Sequence, residues 1–228
     1  MRGPEKQNAD RLAMYREMQR AVPGLDGMYR LLNALIASHE KEAPRVLIVG
    51  AGGGRELEEL LDGHFAGQIT AIDPSAENLD LARAVVRKSR SSPEVRFVVG
   101  TVGDIPEGET FDVATSMLVM HHLKDDGAKL AYLKGLRERL APGGYLIHAD
   151  VSFDQLEDFR RLVPLYLAHA KIFGGSPEAT CLERDAISDL SVVSGARTED
   201  LFAEAGLTAP FEVFRSLWYR CWISTWQS

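Results

Sequence analysis

Five short apolar segments alternate with helical patterns along the chain, and this alternation is the feature that most constrains the fold. The strand candidates are "RVLIVG" (45–50), "QITAID" (68–73), "VRFVVG" (95–100), "FDVATSML" (111–118) and "YLIHAD" (145–150). Between them, apolar spacing predicts a helix over 75–89 with Ser75 as N-cap, and another over 126–144 that is ended by Pro142 and two glycines. Continuously apolar strands separated by helices predict a parallel sheet that is covered on both faces.

The C-terminal end departs from this alternation of strands and helices. "FEVFRSLWYRCWISTW" (211–226) contains two β-rich runs that are too close together for a helical crossover. These runs should pair antiparallel and place at least one reversed strand at the edge of the sheet. The predicted fold is therefore α/β and Rossmann-like: a doubly wound, mostly parallel seven-stranded sheet with an antiparallel C-terminal strand.

The 228 residues suit one domain with four parts. The predicted parts are an N-terminal helical cover (1–43), a ligand-binding core (44–152), a helical lid or insertion (153–200), and a last helix with the terminal strand pair (201–228). Two cysteines, Cys181 and Cys221, cannot form a disulfide framework, which favours a reducing, cytoplasmic setting. No apolar run approaches the roughly 20 residues of a membrane span, so no membrane partner is expected.

The net charge of −7 argues against a nucleic-acid partner bound through a broad basic surface. Arg83, Arg87, Lys88 and Arg90 are close in sequence and offer a local basic patch. A solvated helix face is the simpler interpretation of the same residues.

The glycines after the first strand candidate predict a ligand that approaches the backbone closely. A dinucleotide-binding fingerprint, G-x-G-x-x-G, fails here because Arg55 stands at its third glycine; Gly50, Gly52 and Gly54 form G-x-G-x-G instead. Asp73 ends the second strand, 19 residues beyond Gly54. A carboxylate at that place accepts hydrogen bonds from a ribose diol, so a nucleoside ligand is favoured. Asp73 also suits a helix cap, and the two roles are compatible.

Four segments in this order, "VLIVGAGGG", "AIDPS", "FDVATSMLVMHHL" and "LRERLAPGGYLIHAD", resemble the class I S-adenosylmethionine-dependent methyltransferases over about residues 45–150. The resemblance implies S-adenosyl-L-methionine as cofactor, with the glycine loop against its methionine part and Asp73 on its ribose. Thr101 stands where relatives often carry an aspartate that binds adenine. Asp104, three residues further on, is a possible substitute for that aspartate. The implied cofactor-binding residues are Gly50, Ala51, Gly52, Gly54, Asp73, Pro74, Thr101, Val102, Met117 and Leu118.

A second resemblance concerns residues 16–39, which are similar to the N-terminal cover of the carboxy-S-adenosylmethionine synthase, an enzyme of tRNA wobble-uridine modification. Tyr15, Arg16 and Tyr29 would then lie in the segment that covers the cofactor, although packing of an amphipathic helix is the better interpretation of Tyr29. The synthase carries an arginine where Leu201 aligns here, and Arg197 lies one helical turn earlier. This departure favours ordinary methyl transfer.

Methyl transfer from a sulfonium is an in-line displacement, and it needs a general base only if the acceptor must lose a proton. The candidates for this role are His121, His122 and Asp150, with His148 deeper on the same strand face as Asp150. No ligand spacing predicts a metal.

The sequence thus predicts methyl transfer to a small-molecule acceptor. The alternatives are a carboxy-S-adenosylmethionine synthase-like or tRNA-modifying enzyme, and a non-catalytic S-adenosylmethionine-binding protein. The aromatic C-terminal end leaves a homodimer open.

Overall fold

The structure is a computed structural model that describes residues 13, 14, 16, 17, 19–89 and 93–226. Tyr15 and Arg90, named above, lie outside the described residues. Seven helices are named here: α1 (Leu25–Ala37), α2 (Arg55–Asp62), α3 (Ala76–Lys88), α4 (Ala128–Glu138), α5 (Leu156–Phe173), α6 (Pro177–Asp189) and α7 (Gly195–Glu204). The strands are β1 (Arg45–Val49), β2 (Gln68–Asp73), β3 (Glu94–Val99), β4 (Phe111–Met117), β5 (Leu140–Val151), β6 (Phe211–Ser216) and β7 (Tyr219–Thr225).

The seven strands form one sheet in the order β3-β2-β1-β4-β5-β7-β6. Strands β1 to β5 are parallel, and β7 runs antiparallel to both β5 and β6. This confirms the predicted fold class. The predicted place of the reversed strand was wrong, because β7 lies between β5 and β6 and the edge strand is β6. The tight turn at residues 217–218 folds β6 back outside β7, which is the strand that pairs with β5.

The helix predicted over 126–144 is shorter than expected. It ends at Glu138, and the chain from Leu140 onwards already belongs to β5. Leu140 pairs with Phe111, after which the register shifts, so that Val113 pairs with Tyr145. The segment with Pro142 and its two glycines is therefore an irregularity inside the strand. By contrast, the Ser75 cap is confirmed: its hydroxyl accepts a hydrogen bond from the Asn78 N–H at 3.2 Å.

Helices cover both faces of the sheet. Helices α1, α2 and α3 pack on one face, where Leu32, Leu60 and Leu79 are fully buried in one apolar cluster with residues of β1, β2 and β4. Helices α4 and α7 cover the other face through Leu136 and Phe202. The two apolar layers leave only the ends of the strands open to ligands.

The predicted insertion contains α5 and α6, separated by residues 174–176, and α7 runs across residue 200. Phe159 and Tyr166 of α5 pack against Trp218, which lies in the turn between β6 and β7. His169 contacts the Ala21 carbonyl oxygen at 2.9 Å, close to the helical residues before α1. The insertion, the terminal hairpin and the N-terminal part of the chain therefore pack together beyond the carboxyl end of β5.

Candidate cofactor cleft and acceptor-side cluster

A cleft of about 710 Å³ opens at the carboxyl ends of β1, β2, β3 and β4. This edge is where open parallel sheets bind ligands. Eight of the ten cofactor-binding candidates line it: Gly50, Gly52, Asp73, Pro74, Thr101, Val102, Met117 and Leu118. The lining also includes residues that the sequence analysis did not select as cofactor contacts: Val49, Gly53, Ser75, Asn78, Leu81, Gly100, Val119, His122, Leu123 and Tyr132.

The glycine loop follows β1 and is tied to β2. The N–H groups of Gly50 and Ala51 both donate to the Ile72 carbonyl oxygen, at 2.9 and 3.0 Å. Gly50 has a φ of +71°, and a Cβ placed on it would lie 2.5 Å from Cγ2 of Val119. The loop and the segment after β4 thus approach each other at a point where only glycine fits.

Two of the cofactor candidates do not line the cleft. Ala51 is buried, and Gly54 begins α2 with a φ of +85°. A Cβ on Gly54 would lie 3.0 Å from the Ala82 Cα atom, so this glycine allows α2 and α3 to pack closely. Arg55, which replaces the third glycine of the dinucleotide fingerprint, lies at the outer side of α2 and pairs with Asp26 and Glu59, at 2.8 Å each.

Asp73 is 5% exposed and organises the cleft from its centre. One carboxylate oxygen accepts from the Gly52 N–H at 2.9 Å. The other accepts from the Ser75 N–H at 2.9 Å and from the Asn78 amide at 3.2 Å. Each carboxylate oxygen has more than one acceptor site, so Asp73 can hold the loop and still accept from a ligand diol. Both roles weighed for Asp73, cap and ligand acceptor, are compatible with this geometry.

Thr101 and Asp104, the two candidates for an adenine contact, are hydrogen-bonded to each other. The Thr101 hydroxyl donates to the Asp104 carboxylate at 3.0 Å, and the Thr101 N–H donates to the same oxygen at 2.7 Å. Asp104 is therefore engaged with the backbone, whereas Thr101 lines the cleft. Because its proton is committed to Asp104, the Thr101 oxygen is left to accept a hydrogen bond.

The segment after β4 carries the histidine candidates. Leu118 has a left-handed φ of +61° and opens a short 3-10 turn, Met120–His122, which is held by the buried Lys129 ammonium group donating to the Met120 carbonyl at 2.7 Å. A non-glycine residue in this conformation marks local strain. The turn after Leu118 directs His122 towards the cleft and His121 towards the interior.

His121 and Asp150 form a buried pair behind the cleft wall, at 6% and 3% exposure. The His121 Nδ1–H donates to the Asp150 carboxylate, which also accepts from the Val151 N–H at 2.9 Å. The His121 and His122 rings meet edge to face, with their centres 4.3 Å apart. Of the three catalytic candidates, only His122 faces the cleft, so direct contact of Asp150 with an acceptor does not follow from this geometry.

Burial sets the protonation states of this group. Burial would raise the pKa of Asp150, but the charge and hydrogen bond of His121 outweigh it and hold that pKa below its usual value. Burial lowers the pKa of His122, and the neighbouring His121 charge lowers it further. Burial lowers the pKa of His148 to about 4. His122 and His148 are therefore neutral at pH 7, and Asp150 is ionised.

Glu56 and Glu183 are buried carboxyl groups that were not among the candidates from the sequence. Glu56 on α2 is 4% exposed, and its carboxyl accepts from the Thr115 hydroxyl at 2.7 Å. Glu183 on α6 accepts from the Tyr219 hydroxyl, beneath the insertion. The signal for Glu56 was present, because Glu56 and Leu60 share the buried face of α2 at a spacing of four residues.

The described residues singled out by the synthase resemblance do not line the cleft. Tyr29 is buried and lies under the Arg55 guanidinium, which is 5.2 Å from the ring centre. Arg16 donates to Glu58 at 2.7 Å. Leu201 is buried in the core, and Arg197 is tied to Asp125 and Glu204 by ion pairs of 3.0 and 2.8 Å. None of the described residues that line the cleft is an arginine or a lysine.

Across the described part of the chain, no three His, Cys, Asp or Glu side chains come together as a metal site. In the same residues, none of the helices combines the length and the apolar character that crossing a membrane requires. Trp218 and Trp222 from the C-terminal aromatic run are buried within the chain's own core.

Comparisons with known proteins identify the class. A family model described as a methyltransferase domain matches residues 46–144. The ubiquinone biosynthesis O-methyltransferase of Xanthomonas campestris pv. campestris (strain B100) is 31% identical over 180 residues, which cover 74% of this chain and 72% of that protein. The mitochondrial ubiquinone biosynthesis O-methyltransferase of Candida albicans is 33% identical over 110 residues, 48% of this chain, and the match spans only 33% of that longer relative.

Solved structures agree at the level of the fold. A SAM-dependent methyltransferase from Methanosarcina mazei superimposes with a TM-score of 0.60 at 18% identity, covering 85% of this chain and 97% of that one. An O-methyltransferase family 2 protein from Planctomyces limnophilus, solved in complex with apigenin, gives a TM-score of 0.65 at 16% identity, over 98% and 62% of the two chains. The chain belongs to the class I S-adenosylmethionine-dependent methyltransferases, as the motifs predicted, and this family implies S-adenosylmethionine as the cofactor.

Proposed function

We propose that this protein transfers the methyl group of S-adenosylmethionine to a small-molecule acceptor by in-line displacement. The observation that carries the proposal is the cleft in which Asp73 holds both the glycine loop and the start of α3. The loop offers close backbone approach for the methionine part of the cofactor, Asp73 offers acceptors for the ribose, and Thr101 offers one for adenine. Positioning and exclusion of water supply most of the acceleration, because the sulfonium is already an activated leaving group.

Oxygen is the acceptor atom that we favour. The Xanthomonas and Candida relatives are both named as O-methyltransferases, and a hydroxyl acceptor gains from losing its proton during attack. Neutral His122 faces the cleft and can take that proton. His121 and Asp150 are then positioning residues that act through His122, with Asp150 fixing the orientation of the His121 ring.

The carboxylated-cofactor alternative has less support. Holding an extra carboxylate calls for a cationic side chain in the cleft, and the described lining has none. Leu201 is a core residue, and Arg197 is held by two carboxylates at the surface. We also propose that residues 153–200 act as a lid over the cleft, that the protein is cytoplasmic, and that it forms a homodimer.

The test is calorimetric titration of the protein with S-adenosylmethionine, S-adenosylhomocysteine and NAD. We expect both adenosyl ligands to bind, NAD not to bind, and Asp73→Ala to weaken binding about 100-fold, the weight of two charge-assisted hydrogen bonds. Asp80→Asn, an exposed carboxylate on α3, is the matched control and should bind like the wild type. Binding of NAD alone would refute the proposal.

A methyl-transfer assay with labelled cofactor then separates the remaining alternatives. Phenols and other small hydroxylated molecules should be methylated, whereas bulk tRNA should not. Methylation of tRNA alone would favour the RNA-modifying alternative, and cofactor binding without transfer to any acceptor class would favour a binding protein.

A further inference from the structure

Glu56 is a buried carboxyl group that has one hydrogen-bond partner and no counter-ion among the residues that the structure describes. The Thr115 hydroxyl donates to it at 2.7 Å, and no arginine or lysine of the described chain pairs with it. The charged groups on the outer side of α2 pair among themselves, as Arg55 does with Glu59 at 2.8 Å. An unpaired buried carboxylate is costly, so a group of this kind is kept neutral unless a cation comes close.

The position of Glu56 makes it a neighbour of the cleft. It is the second residue of α2, directly after the glycine loop. Thr115 lies on β4 two residues before Met117, which lines the cleft, and pairs in register with Ile48, two residues before Gly50. The Glu56 carboxyl therefore lies beneath the point where the glycine loop and β4 meet, where the proposed cofactor places its methionine part.

The groups that face Glu56 from other elements do not neutralise it. Burial raises the pKa of Glu56 to about 8, the Thr115 hydrogen bond works against this rise, and the negative charge of Asp73 on β2 adds to it. From α4, Tyr132 also faces this region; burial keeps its hydroxyl protonated, and it donates to Ser116 at 2.7 Å. At pH 7 about nine in ten Glu56 side chains carry a proton in the free protein.

The cofactor changes its charge during the reaction. S-adenosylmethionine carries a sulfonium cation beside its ammonium and carboxylate groups, and S-adenosylhomocysteine carries a neutral thioether in its place. The S–CH₃ bond breaks with its electron pair left on sulfur, the acceptor oxygen forms the new bond to carbon, and the acceptor proton leaves. One positive charge thus disappears from the cleft in each turnover.

We infer that Glu56 is a positioning residue that senses this charge: it gives up its proton when S-adenosylmethionine binds and recovers one when the sulfonium becomes a thioether. The inference rests on the proposed cofactor and its placement. The released proton goes to solvent and the recovered one comes from solvent, so Glu56 makes no net contribution to the proton balance of a turnover. The ionised Glu56 carboxylate raises the affinity for S-adenosylmethionine, and the return to the neutral acid lowers the affinity for S-adenosylhomocysteine.

The test is to count protons by calorimetry. Titrations with S-adenosylmethionine and with S-adenosylhomocysteine are run at pH 7 in phosphate and in Tris, whose ionisation heats differ. We expect the wild type to release about half a proton or more with the sulfonium ligand and clearly less with the thioether. Glu56→Gln keeps an acceptor for Thr115 and should abolish the difference, whereas Glu138→Gln, an exposed position on α4, should behave like the wild type.

Selectivity gives a second readout. The affinity ratio of the two ligands should fall about threefold to tenfold in Glu56→Gln at pH 7, and its rise with pH between about 6 and 8 should disappear. The amine of each ligand titrates equally with both proteins, so the comparison isolates Glu56. A merely structural role would weaken both ligands together and leave the ratio and its pH profile unchanged.

The outcomes separate the two proposals. If the wild type binds both ligands but releases equal numbers of protons, the inference about Glu56 is overturned whether or not the variant folds. If Glu56→Gln folds and still shows the wild-type difference in proton release between the two ligands, the inference about Glu56 is overturned as well. If the wild type binds neither ligand, the proposed function fails, and this inference fails with it.

Discussion

The buried Glu56 carboxyl predicts an unusual pH dependence of stability in the protein without ligands. A carboxyl whose pKa is raised from 4.5 to about 8 by burial holds its proton in the folded state at pH values where the unfolded chain has lost it. Folding then takes up a proton, so the stability supplied by this group is fully present below pH 4.5 and is lost as the pH rises towards 8. The loss amounts to about 1.4 kcal/mol per pH unit inside that window.

The perturbation that tests this is Glu56→Gln. The amide cannot ionise and keeps an oxygen for the Thr115 hydroxyl, so the variant should lack this component of the pH dependence. Between pH 5 and pH 8 the variant should therefore gain about 3–4 kcal/mol relative to the wild type, allowing for the rounded ends of both titrations. In a chain of this length, such a gain corresponds to a shift in Tm of about 7–14 °C.

The assay is urea unfolding at half-unit steps from pH 5 to pH 8.5, followed by circular dichroism and tryptophan fluorescence. Glu138→Gln removes a carboxylate from an exposed position and should track the wild type throughout. Stability curves of wild type and Glu56→Gln that run parallel across the window would mean that Glu56 is ionised in the folded protein. That result would refute the reasoning, because the burial of the group would then have no effect on its proton.

Further substitutions test the cleft, the buried pair behind it and the cluster beneath the insertion. Gly50→Ala should weaken cofactor binding at least tenfold in calorimetry, and adding Val119→Ala should restore part of it, because the new Cβ would lie 2.5 Å from the valine methyl group. Asp150→Asn should lower the free energy of unfolding by about 3–5 kcal/mol in urea at pH 7, since it breaks a buried pair; a loss below 1 kcal/mol would contradict the burial of that pair. Tyr219→Phe removes the hydroxyl that donates to a buried carboxyl and should cost about 1–3 kcal/mol. Tyr166→Phe removes a buried hydroxyl that has no hydrogen-bond partner among the described residues, and it should be neutral or stabilising.

The strands and the backbone-binding positions could be predicted because each has a local signal. A parallel strand that is covered on both faces is buried at almost every position, as β1, β2 and β4 are, and its sequence is therefore a mostly apolar run. Gly50 and Asp73 could be placed because a left-handed backbone and a strand-end carboxylate are needed wherever a ligand meets this edge of the sheet.

The end of α4 was predicted wrongly because two interactions compete for the same residues. Leu133, Leu136 and Leu140 continue a helical spacing, and all three are fully buried. Leu140 nevertheless pairs with Phe111 across β4 and β5, and strand pairing wins over helical periodicity. Periodicity alone cannot reveal this, because the partner lies 29 residues away along the chain.

The arrangement of the polar groups behind the cleft could not be predicted for a related reason. Whether His121 or His122 faces the ligand depends on the turn that Leu118 opens with its left-handed φ, and leucine gives no local sign of that conformation. The Glu183–Tyr219 contact joins the insertion to the terminal hairpin and exists only in the assembled fold. Side chains that meet across elements are predicted by neither spacing nor composition.

The charges around the cleft give a physical reason for the failed dinucleotide fingerprint. A dinucleotide brings a pyrophosphate to the glycine loop, and that anion would meet the Asp73 carboxylate at the centre of the cleft and favour the neutral form of Glu56 beneath it, with no arginine or lysine in the described lining. A sulfonium cofactor brings a cation to the same place, where both carboxyl groups favour it. Arg55, the residue that breaks the fingerprint, lies on the outer side of α2 and does not alter this balance. The charge of the cleft therefore favours a cationic cofactor over a pyrophosphate, independently of the residue that breaks the fingerprint.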